Sequence, residues 1–168
     1  MTPEEILQQI QSRFPEEIRT SEVRRGEACL TIRGDKSLEI CRFIKEELRY
    51  DYLNCLSGVD WIADGEMEVV YNISSLNQAG KITLRARIPR NEPALRSVVS
   101  LWGTANWHER EAFDLFGVHF ENHPDLRRIL LPEDWIGHPL RKDYQDERFV
   151  SYPWEDRKPG GVARPTSA

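Results

Sequence analysis

Residues 66–89, EMEVVYNISSLNQAGKITLRARIP, contain the pattern that best predicts the fold class. Apolar side chains occupy every second position in two runs: Met67, Val69, Tyr71 and Ile73, then Ile82, Leu84, Ala86 and Ile88. This alternation is typical of strands that bury one face, and the short loop ending at Gly80 predicts an antiparallel hairpin. Thr83, Arg85 and Arg87 fall on the opposite face, which we therefore expect to be solvated or to meet an acidic partner surface.

N-terminal to the hairpin, the sequence predicts helix, strand and helix. Thr2 can cap the first helix, and Glu5 can complete a capping box. Alternation within residues 23–33 predicts one strand, which Gly34 closes. Asp35 is expected to cap a second helix, whose apolar stripe has helical spacing: Leu38, Cys41, Ile44 and Leu48.

Around and beyond the hairpin, the pattern predicts a third strand and two more helices. Residues 52–61 predict a strand that is broken near Gly58. One helical stripe precedes Gly103: Leu95, Val98, Val99 and Trp102. Asn106 is expected to cap the helix that follows. The order of elements predicts an α+β two-layer sandwich, with helices on one face of a mainly antiparallel sheet.

The last third of the chain loses its periodicity from about His119 onward and contains isolated aromatic residues: Phe120, Trp135, Tyr144, Phe149, Tyr152 and Trp154. A segment of this kind cannot bury itself well, so it is expected to be extended, either disordered or lying along another protein. We therefore predict a single α+β domain over residues 1–144 and an extended or disordered tail over residues 145–168.

Composition excludes several classes of function. With 168 residues, 30% of them charged, and a net charge of −5, the chain is not expected to bind nucleic acid, because phosphate binding needs a basic face. The acidic N-terminus does not resemble a signal peptide, and no apolar run is long enough to span a bilayer. These features predict a chain that is soluble and cytosolic by itself.

Motifs for metals and nucleotides are also lacking. Cys29, Cys41 and Cys55 are widely spaced without a CxxC pair, which predicts three buried, reduced thiols rather than a zinc or iron–sulfur site. A glycine-rich phosphate loop, a dinucleotide fingerprint and a nucleophile elbow are absent from the sequence.

Residues 109–114, EREAFD, place three acids and an arginine on one predicted helix. Glu109 falls on the apolar face, where a buried carboxyl with a raised pKa could act as a general acid or base. Alternatively, Glu109 is the capping-box acid for Asn106, and Arg110 pairs with Asp114 one turn away. Because no nucleophile, metal motif or phosphate loop lies nearby, we favour the structural interpretation.

A zinc site could be imagined from four histidines and two glutamates: His108, His119, His123, His138, Glu109 and Glu111. The residues between His119 and His123 do not place a glutamate in the arrangement that a zinc protease needs, because Phe120 and not a glutamate follows His119 directly. His123 and His138 each precede a proline and so favour extended backbone. We therefore assign no metal ligand.

The run from residue 109 to residue 130 resembles the signature of the 30 kDa subunit family of respiratory complex I, the NADH–quinone oxidoreductase. The signature's acidic, apolar and basic positions are matched, in order, by Glu109-Arg110-Glu111, Asp114, Leu115-Phe116, His123, Arg127 and Ile129-Leu130. Residues 131–135 and 137–144 continue the likeness, which covers most of residues 20–145.

The resemblance implies a peripheral-arm subunit with no cofactor of its own and no catalytic, cofactor-binding or metal-binding residue. It implies packing against the quinone-pocket subunit and the iron–sulfur subunits, in an assembly that passes electrons from NADH to quinone and pumps protons. FMN and iron–sulfur clusters would lie in those partners. The chain would be peripheral, on the cytoplasmic side of the inner membrane, and would reach the membrane only through the complex.

Two alternatives remain open at this point. The chain could be the equivalent subunit of a related membrane-bound hydrogenase or of a ferredoxin–plastoquinone complex. It could instead be a small acid–base or metal hydrolase that uses Glu109, Glu111 and His123. For the partner-facing surface, the sequence favours the strip of Thr83, Arg85 and Arg87 and the segment of residues 125–154. Replacement of Arg127 or Arg128 by Glu is expected to weaken association more than the fold.

Overall fold

A computed structural model describes residues 1–146 of the chain. Its elements, in chain order, are α1 (Pro3–Arg13), β1 (Ile18–Arg24), β2 (Glu27–Arg33), a 3₁₀ turn (Gly34–Lys36), α2 (Ser37–Glu46), β3 (Tyr52–Trp61), a second 3₁₀ turn (Ile62–Asp64), β4 (Glu66–Ser74), β5 (Lys81–Pro89), β6 (Ala94–Arg96), α3 (Ala105–Phe116) and β7 (His119–Glu121). Beyond β7, residues 122–146 contain no helix or strand.

The five long strands form one sheet in the order β1-β2-β5-β4-β3. All neighbours are antiparallel except β2 and β5, which run parallel. The predicted hairpin is β4–β5, in which Ile73 pairs with Ile82 and Met67 with Ile88. The short strands β6 and β7 form a separate parallel pair. The prediction of a mainly antiparallel sheet is confirmed.

The three helices and the apolar face of the sheet enclose one hydrophobic core. Ile6 and Ile10 of α1 and Ile44 of α2 are fully buried in it, beside alternate residues of β4 and β5 such as Tyr71 and Leu84. The helix α3 lies against β3 at the sheet edge. The predicted two-layer arrangement, with helices on one face, is therefore confirmed.

The first helix begins as the sequence predicts. The amide of Glu5 donates to Thr2 Oγ1 at 3.2 Å, and the Thr2 amide donates to Glu5 Oε2 at 2.9 Å. These reciprocal bonds satisfy two amides that the helix itself leaves unpaired. The capping box is confirmed.

Two other N-terminal predictions are wrong. Residues 23–33 are not one strand, because the chain reverses at Arg25 and Gly26, both with positive φ, and forms the β1–β2 hairpin. That backbone conformation suits a tight hairpin turn. Asp35 does not cap α2, since it lies in a 3₁₀ turn and the helix begins at Ser37 without a side-chain cap.

The helix predicted around residues 95–102 is also wrong. Leu95 belongs to β6 and pairs with Phe120 of β7, and turns follow from Val99 onward. The apolar residues of this stretch are nevertheless buried, including Val98 and Trp102. Their spacing matches that of a helix, but an irregular segment places these side chains in the hydrophobic core.

Gly58 does not break β3, which runs without interruption from Tyr52 to Trp61. It allows close contact with α3: a Cβ atom built on Gly58 would lie 2.7 Å from Cδ2 of Phe116. The absent side chain therefore sets how near α3 can approach the sheet.

Replacing Gly58 by alanine should destabilise the protein, because the added methyl group forces the Phe116 ring or the helix to move. Overpacking of this kind costs about 1–3 kcal/mol. The measurement is the free energy of unfolding in urea. Gly103→Ala is the matched control, since no heavy atom lies within 4 Å of a Cβ built there. Equal stability of the two variants would contradict the close contact.

Candidate functional site

The first part of the signature, residues 109–116, lies on α3, and three of its charged side chains are buried in the protein. Glu109 and Asp114 are 0% exposed and Arg110 is 6% exposed, whereas Glu111 faces solvent. The helix is preceded by Thr104 at its N-cap, without a side-chain cap bond, and Asn106 lies inside the helix. The prediction that Asn106 is the cap is wrong.

Glu109 binds the chain that leaves β6 rather than the start of its own helix. Its carboxyl accepts a hydrogen bond from Ser97 Oγ at 2.7 Å and another from the Val98 amide at 2.7 Å. The capping-box interpretation is therefore wrong. Burial raises the pKa of Glu109 to about 7, although the bonds from Ser97 and Val98 favour the charged form and oppose that rise.

His123 lies beside Glu109 but is not its ion-pair partner. Its Nε2 atom is 3.2 Å from the Asn106 carbonyl, and its Nδ1 atom accepts from the Asp125 amide at 3.0 Å. These contacts assign a neutral ring with the proton on Nε2. Burial lowers the pKa of His123, which agrees with the neutral ring. The distance from His123 Nε2 to Glu109 Oε2 is 3.9 Å.

Arg110 reaches the segment that follows β7. Its Nε atom donates to the Arg127 carbonyl and its Nη2 atom to the Arg128 carbonyl, both at 3.2 Å. Its guanidinium also lies over the Trp107 ring, 5.3 Å from the ring centroid. The predicted pairing of Arg110 with Asp114 is wrong, because Asp114 has its own set of donors.

Asp114 gathers four donors around one buried carboxylate. Arg128 Nη1 donates to Oδ1 at 2.6 Å, and three successive amides donate to Oδ2 at 2.8–3.0 Å: Ile129, Leu130 and Leu131. Burial alone would raise the pKa of Asp114, but these amides and Arg128 outweigh burial and lower it. The carboxylate is therefore the centre of a closed hydrogen-bonded turn.

The C-terminal end of α3 is capped by the same segment. The last helical carbonyls accept the following bonds: Asp114 O from Arg128 Nη1 and His138 Nδ1, Leu115 O from the Leu140 amide, and Phe116 O from Arg141 Nε. Cations and donors at this end complement the helix dipole. Gly117 has a φ of +75°, and a Cβ there would lie 2.5 Å from the His138 ring.

A second buried carboxylate holds the far end of the segment. Asp60, at the end of β3, accepts two bonds from Arg90, at 2.7 and 3.0 Å, and one from the Lys142 amide at 2.8 Å. Arg90 also pairs with Asp143 at 2.5 Å. The bond from Arg90 holds the pKa of Asp60 below its ordinary value.

The segment from residue 122 to residue 146 contains neither helix nor strand, as its lack of periodicity predicts, but it turns repeatedly and packs against its own domain. The domain boundary predicted at residue 144 stays a prediction. Of the predicted tail, residues 147–168 lie outside the described residues, as do three of the proposed aromatic anchors: Phe149, Tyr152 and Trp154.

The structure does not assemble the residues of the hydrolase alternative. Glu109 and His123 are close together, but Glu111 is exposed on the other side of α3. Within residues 1–146, no group of three or more His, Cys, Asp or Glu side chains could hold a metal ion. The three cysteines are free, but Cys55 is only half-buried, so the expectation that all three are buried is wrong for it.

Comparison with protein families confirms the resemblance. The model of the family described as "Respiratory-chain NADH dehydrogenase, 30 Kd subunit" matches residues 30–150. An NADH-quinone oxidoreductase subunit of Geotalea uraniireducens is 46% identical over 121 residues, which cover 71% of this chain and 74% of that protein. An F(420)H(2) dehydrogenase subunit of Methanosarcina mazei is 41% identical over 145 residues, covering 83% and 90%.

Solved structures share the fold. A chain of an archaeal membrane-bound sulfane sulfur reductase matches with a TM-score of 0.75 at 25% identity, covering 95% of this chain and 98% of that one. A trypsin-resistant fragment of Nqo5 matches with a TM-score of 0.57 at 27% identity, covering 75% and 100%. No helix within residues 1–146 is both long and apolar enough to cross a membrane.

The raised pKa of Glu109 makes stability depend on pH. Because the folded-state pKa, about 7, exceeds the ordinary value of 4.5, the stabilisation is complete below pH 4.5 and is lost as the pH rises through 7. We expect the free energy of unfolding to fall by roughly 3 kcal/mol between these limits, relative to Glu109→Gln. Urea unfolding across pH 5–8 measures it.

Glu111→Gln is the control for this experiment, because it makes the same change at an exposed position of α3. Its stability should follow that of the wild-type protein at every pH. A stability difference between the wild-type protein and Glu109→Gln that stays constant from pH 5 to pH 8 would contradict the buried, weakly acidic carboxyl.

Proposed function

We propose, because this chain belongs to the family of the respiratory-chain NADH dehydrogenase 30 kDa subunit, that it is a non-catalytic subunit of the peripheral arm of a proton-translocating NADH:quinone oxidoreductase. Its role is structural and in assembly. Electrons pass from NADH through FMN and iron–sulfur clusters, all held by partner subunits, to quinone. The chain lies on the cytoplasmic side of the inner membrane and reaches it only through those partners.

One observation carries the structural role: the buried polar groups of the signature are bound within the chain. Glu109 holds the chain after β6, while Arg110 and Asp114 hold residues 127–131. A group that acts on a substrate needs an approach from solvent, whereas both carboxyls are fully buried. This supports a structural role, in which the buried groups hold the surface of the chain in a defined shape.

The outer side of the segment after β7 is the surface we propose for contact with the quinone-pocket and iron–sulfur subunits. Three large apolar side chains are exposed there: Leu130 by 60%, Ile136 by 85% and Leu140 by 51%. The backbone on either side of Ile136 is fixed, since Arg128 donates to the carbonyls of Trp135 and Gly137. Exposed apolar groups on an ordered backbone are typical of protein interfaces.

Arg127 and Arg128 have different roles in this surface. Arg127 is exposed, and among residues 1–146 it forms one ion pair, which is local, with Asp125 at 2.8 Å. Arg128 is bound to buried Asp114, so Arg128→Glu should damage the fold as well as association. The expectation of a purely interfacial role is therefore kept for Arg127 alone.

Similarity to subunits of two other complexes favours a second candidate function. In it, this chain is the equivalent subunit of an assembly with a different electron donor or acceptor. The relatives include an F(420)H(2) dehydrogenase subunit and a chain of a membrane-bound sulfane sulfur reductase. Membrane-bound hydrogenases and ferredoxin–plastoquinone complexes belong to the same alternative. The electron-input subunits that co-purify with this chain would distinguish the candidates.

The experiment expresses the tagged full chain in its source organism in place of the untagged copy. The tag should recover a complex that contains flavin and iron–sulfur subunits and oxidises NADH with quinone. Ile136→Asp should reduce this recovery roughly tenfold, because it puts a charge into an apolar contact, while leaving the melting temperature unchanged.

Leu76→Asp is the control, since Leu76 is 79% exposed in the β4–β5 loop, away from the segment after β7. Recovery with Leu76→Asp should equal that of the wild-type chain. NADH oxidation by the isolated chain would contradict the proposed function. Full recovery with Ile136→Asp would contradict the proposed surface.

A further inference from the structure

The sheet has a second face, opposite the three helices, whose centre carries little charge. We call it the open face, and its central residues come from four strands: Cys29, Thr31, Thr83, Arg85, Val70, Asn72, Cys55 and Ser57. In a chain with 30% charged residues, Arg85 is the single charged residue of this set. The centre of the open face is therefore a nearly neutral surface of small side chains.

At one end of the open face, the charges are neutralised within the chain. Arg87 Nε donates to Glu68 at 2.7 Å, and its Nη1 atom donates to Glu66 at 3.2 Å. The Arg87 guanidinium also lies over the Trp61 ring, and Arg19 pairs with Glu66. The acidic partner that the sequence predicts for this strip is thus supplied internally for Arg87.

The polar groups at the centre also bind one another. Thr83 Oγ1 donates to Asn72 Oδ1 at 3.1 Å, and Asn72 Nδ2 lies 3.2 Å from Cys55 Sγ. These bonds run across β5, β4 and β3 and pair polar atoms of three neighbouring side chains. A partner can therefore cover these three side chains without leaving those polar atoms unpaired.

Arg85 differs from these three residues. It lies in register between Thr31 of β2 and Val70 of β4, and it is half-buried. Among residues 1–146 it makes no hydrogen bond and no ion pair. A guanidinium with its donors unpaired in a neutral surface matches the two oxygens of a carboxylate, which it can bind with two parallel hydrogen bonds.

We infer that the open face is a second docking surface, and that it receives a partner subunit which places an Asp or Glu carboxylate on Arg85. The inference rests on the proposed function, because the partner is a subunit of the same assembly. Five strands span about 19 Å, so the face offers on the order of half the area that one partner contributes to a standard interface. It therefore extends the assembly's contact with this chain beyond the segment after β7.

Cys55 is a native reporter of this contact, since it is half-buried on the open face while Cys29 and Cys41 are buried. The experiment measures the rate at which N-ethylmaleimide modifies Cys55 in the isolated full chain and in the purified complex. We expect modification to be at least tenfold slower in the complex, because a docked partner excludes the reagent.

Charge specificity is tested with Arg85→Gln and Arg85→Lys, expressed as tagged full chains. Arg85→Gln should enter the complex roughly tenfold less well than the wild-type chain, and Arg85→Lys should be intermediate because it keeps the charge without the planar fork. Arg42→Gln is the matched control, an exposed arginine of α2 in the helix layer, and should enter normally. All three should keep the wild-type melting temperature.

The outcomes separate this inference from the proposed function. If the wild-type chain enters no complex, both fail. If it enters but Cys55 reacts at the same rate in both states, or if Arg85→Gln enters normally, the open face is no docking surface and the proposed function stands. If Cys55 is already protected in the isolated chain and becomes reactive when residues 147–168 are removed, this chain's own terminus covers the face, and the inference is overturned.

Discussion

The buried carboxylate of Asp114 is the interaction on which the C-terminal third of the structure depends. A charge taken out of water is costly unless donors surround it, and Asp114 meets this demand with Arg128 and three successive amides of residues 129–131. The chain after β7 must therefore fold back onto α3. Once it has done so, the residues that follow cap the last carbonyls of the helix, which would otherwise lack partners.

The helix α3 contacts the sheet on one side and that segment on the other. On the sheet side, Gly58 admits the Phe116 ring, and Glu109 fixes the turn after β6. On the other side, Arg110 and Asp114 hold the segment after β7. Glu109 and Asp114, which in the sequence resemble catalytic acids, thus hold neighbouring segments of the chain together. The surfaces they position, rather than a reaction centre, are what this chain offers an assembly.

Local patterns predicted the parts of the fold that depend on local chemistry. The β4–β5 hairpin follows from strict alternation, whereas the exposed strand Ile18–Arg24 has too few buried residues to produce a signal. The apolar residues from Leu95 to Trp102 have helical spacing but form no helix. Such spacing can also arise in an irregular segment whose apolar residues are buried. Local patterns do not predict the partner of Asp114. Arg128 lies 14 residues away in the sequence, whereas helix periodicity favours the nearer Arg110.

The role of Asp114 can be tested by amide hydrogen exchange in the isolated full chain carrying Asp114→Asn, with the exposed Asp125→Asn as control. If Asp114 organises the segment, exchange should become at least tenfold faster at residues 129–131 and 138–142, while the amides of β4 and β5 stay protected. Unchanged protection of the segment, or equal loss of protection throughout the sheet, would contradict the claim that this carboxylate holds the segment on α3.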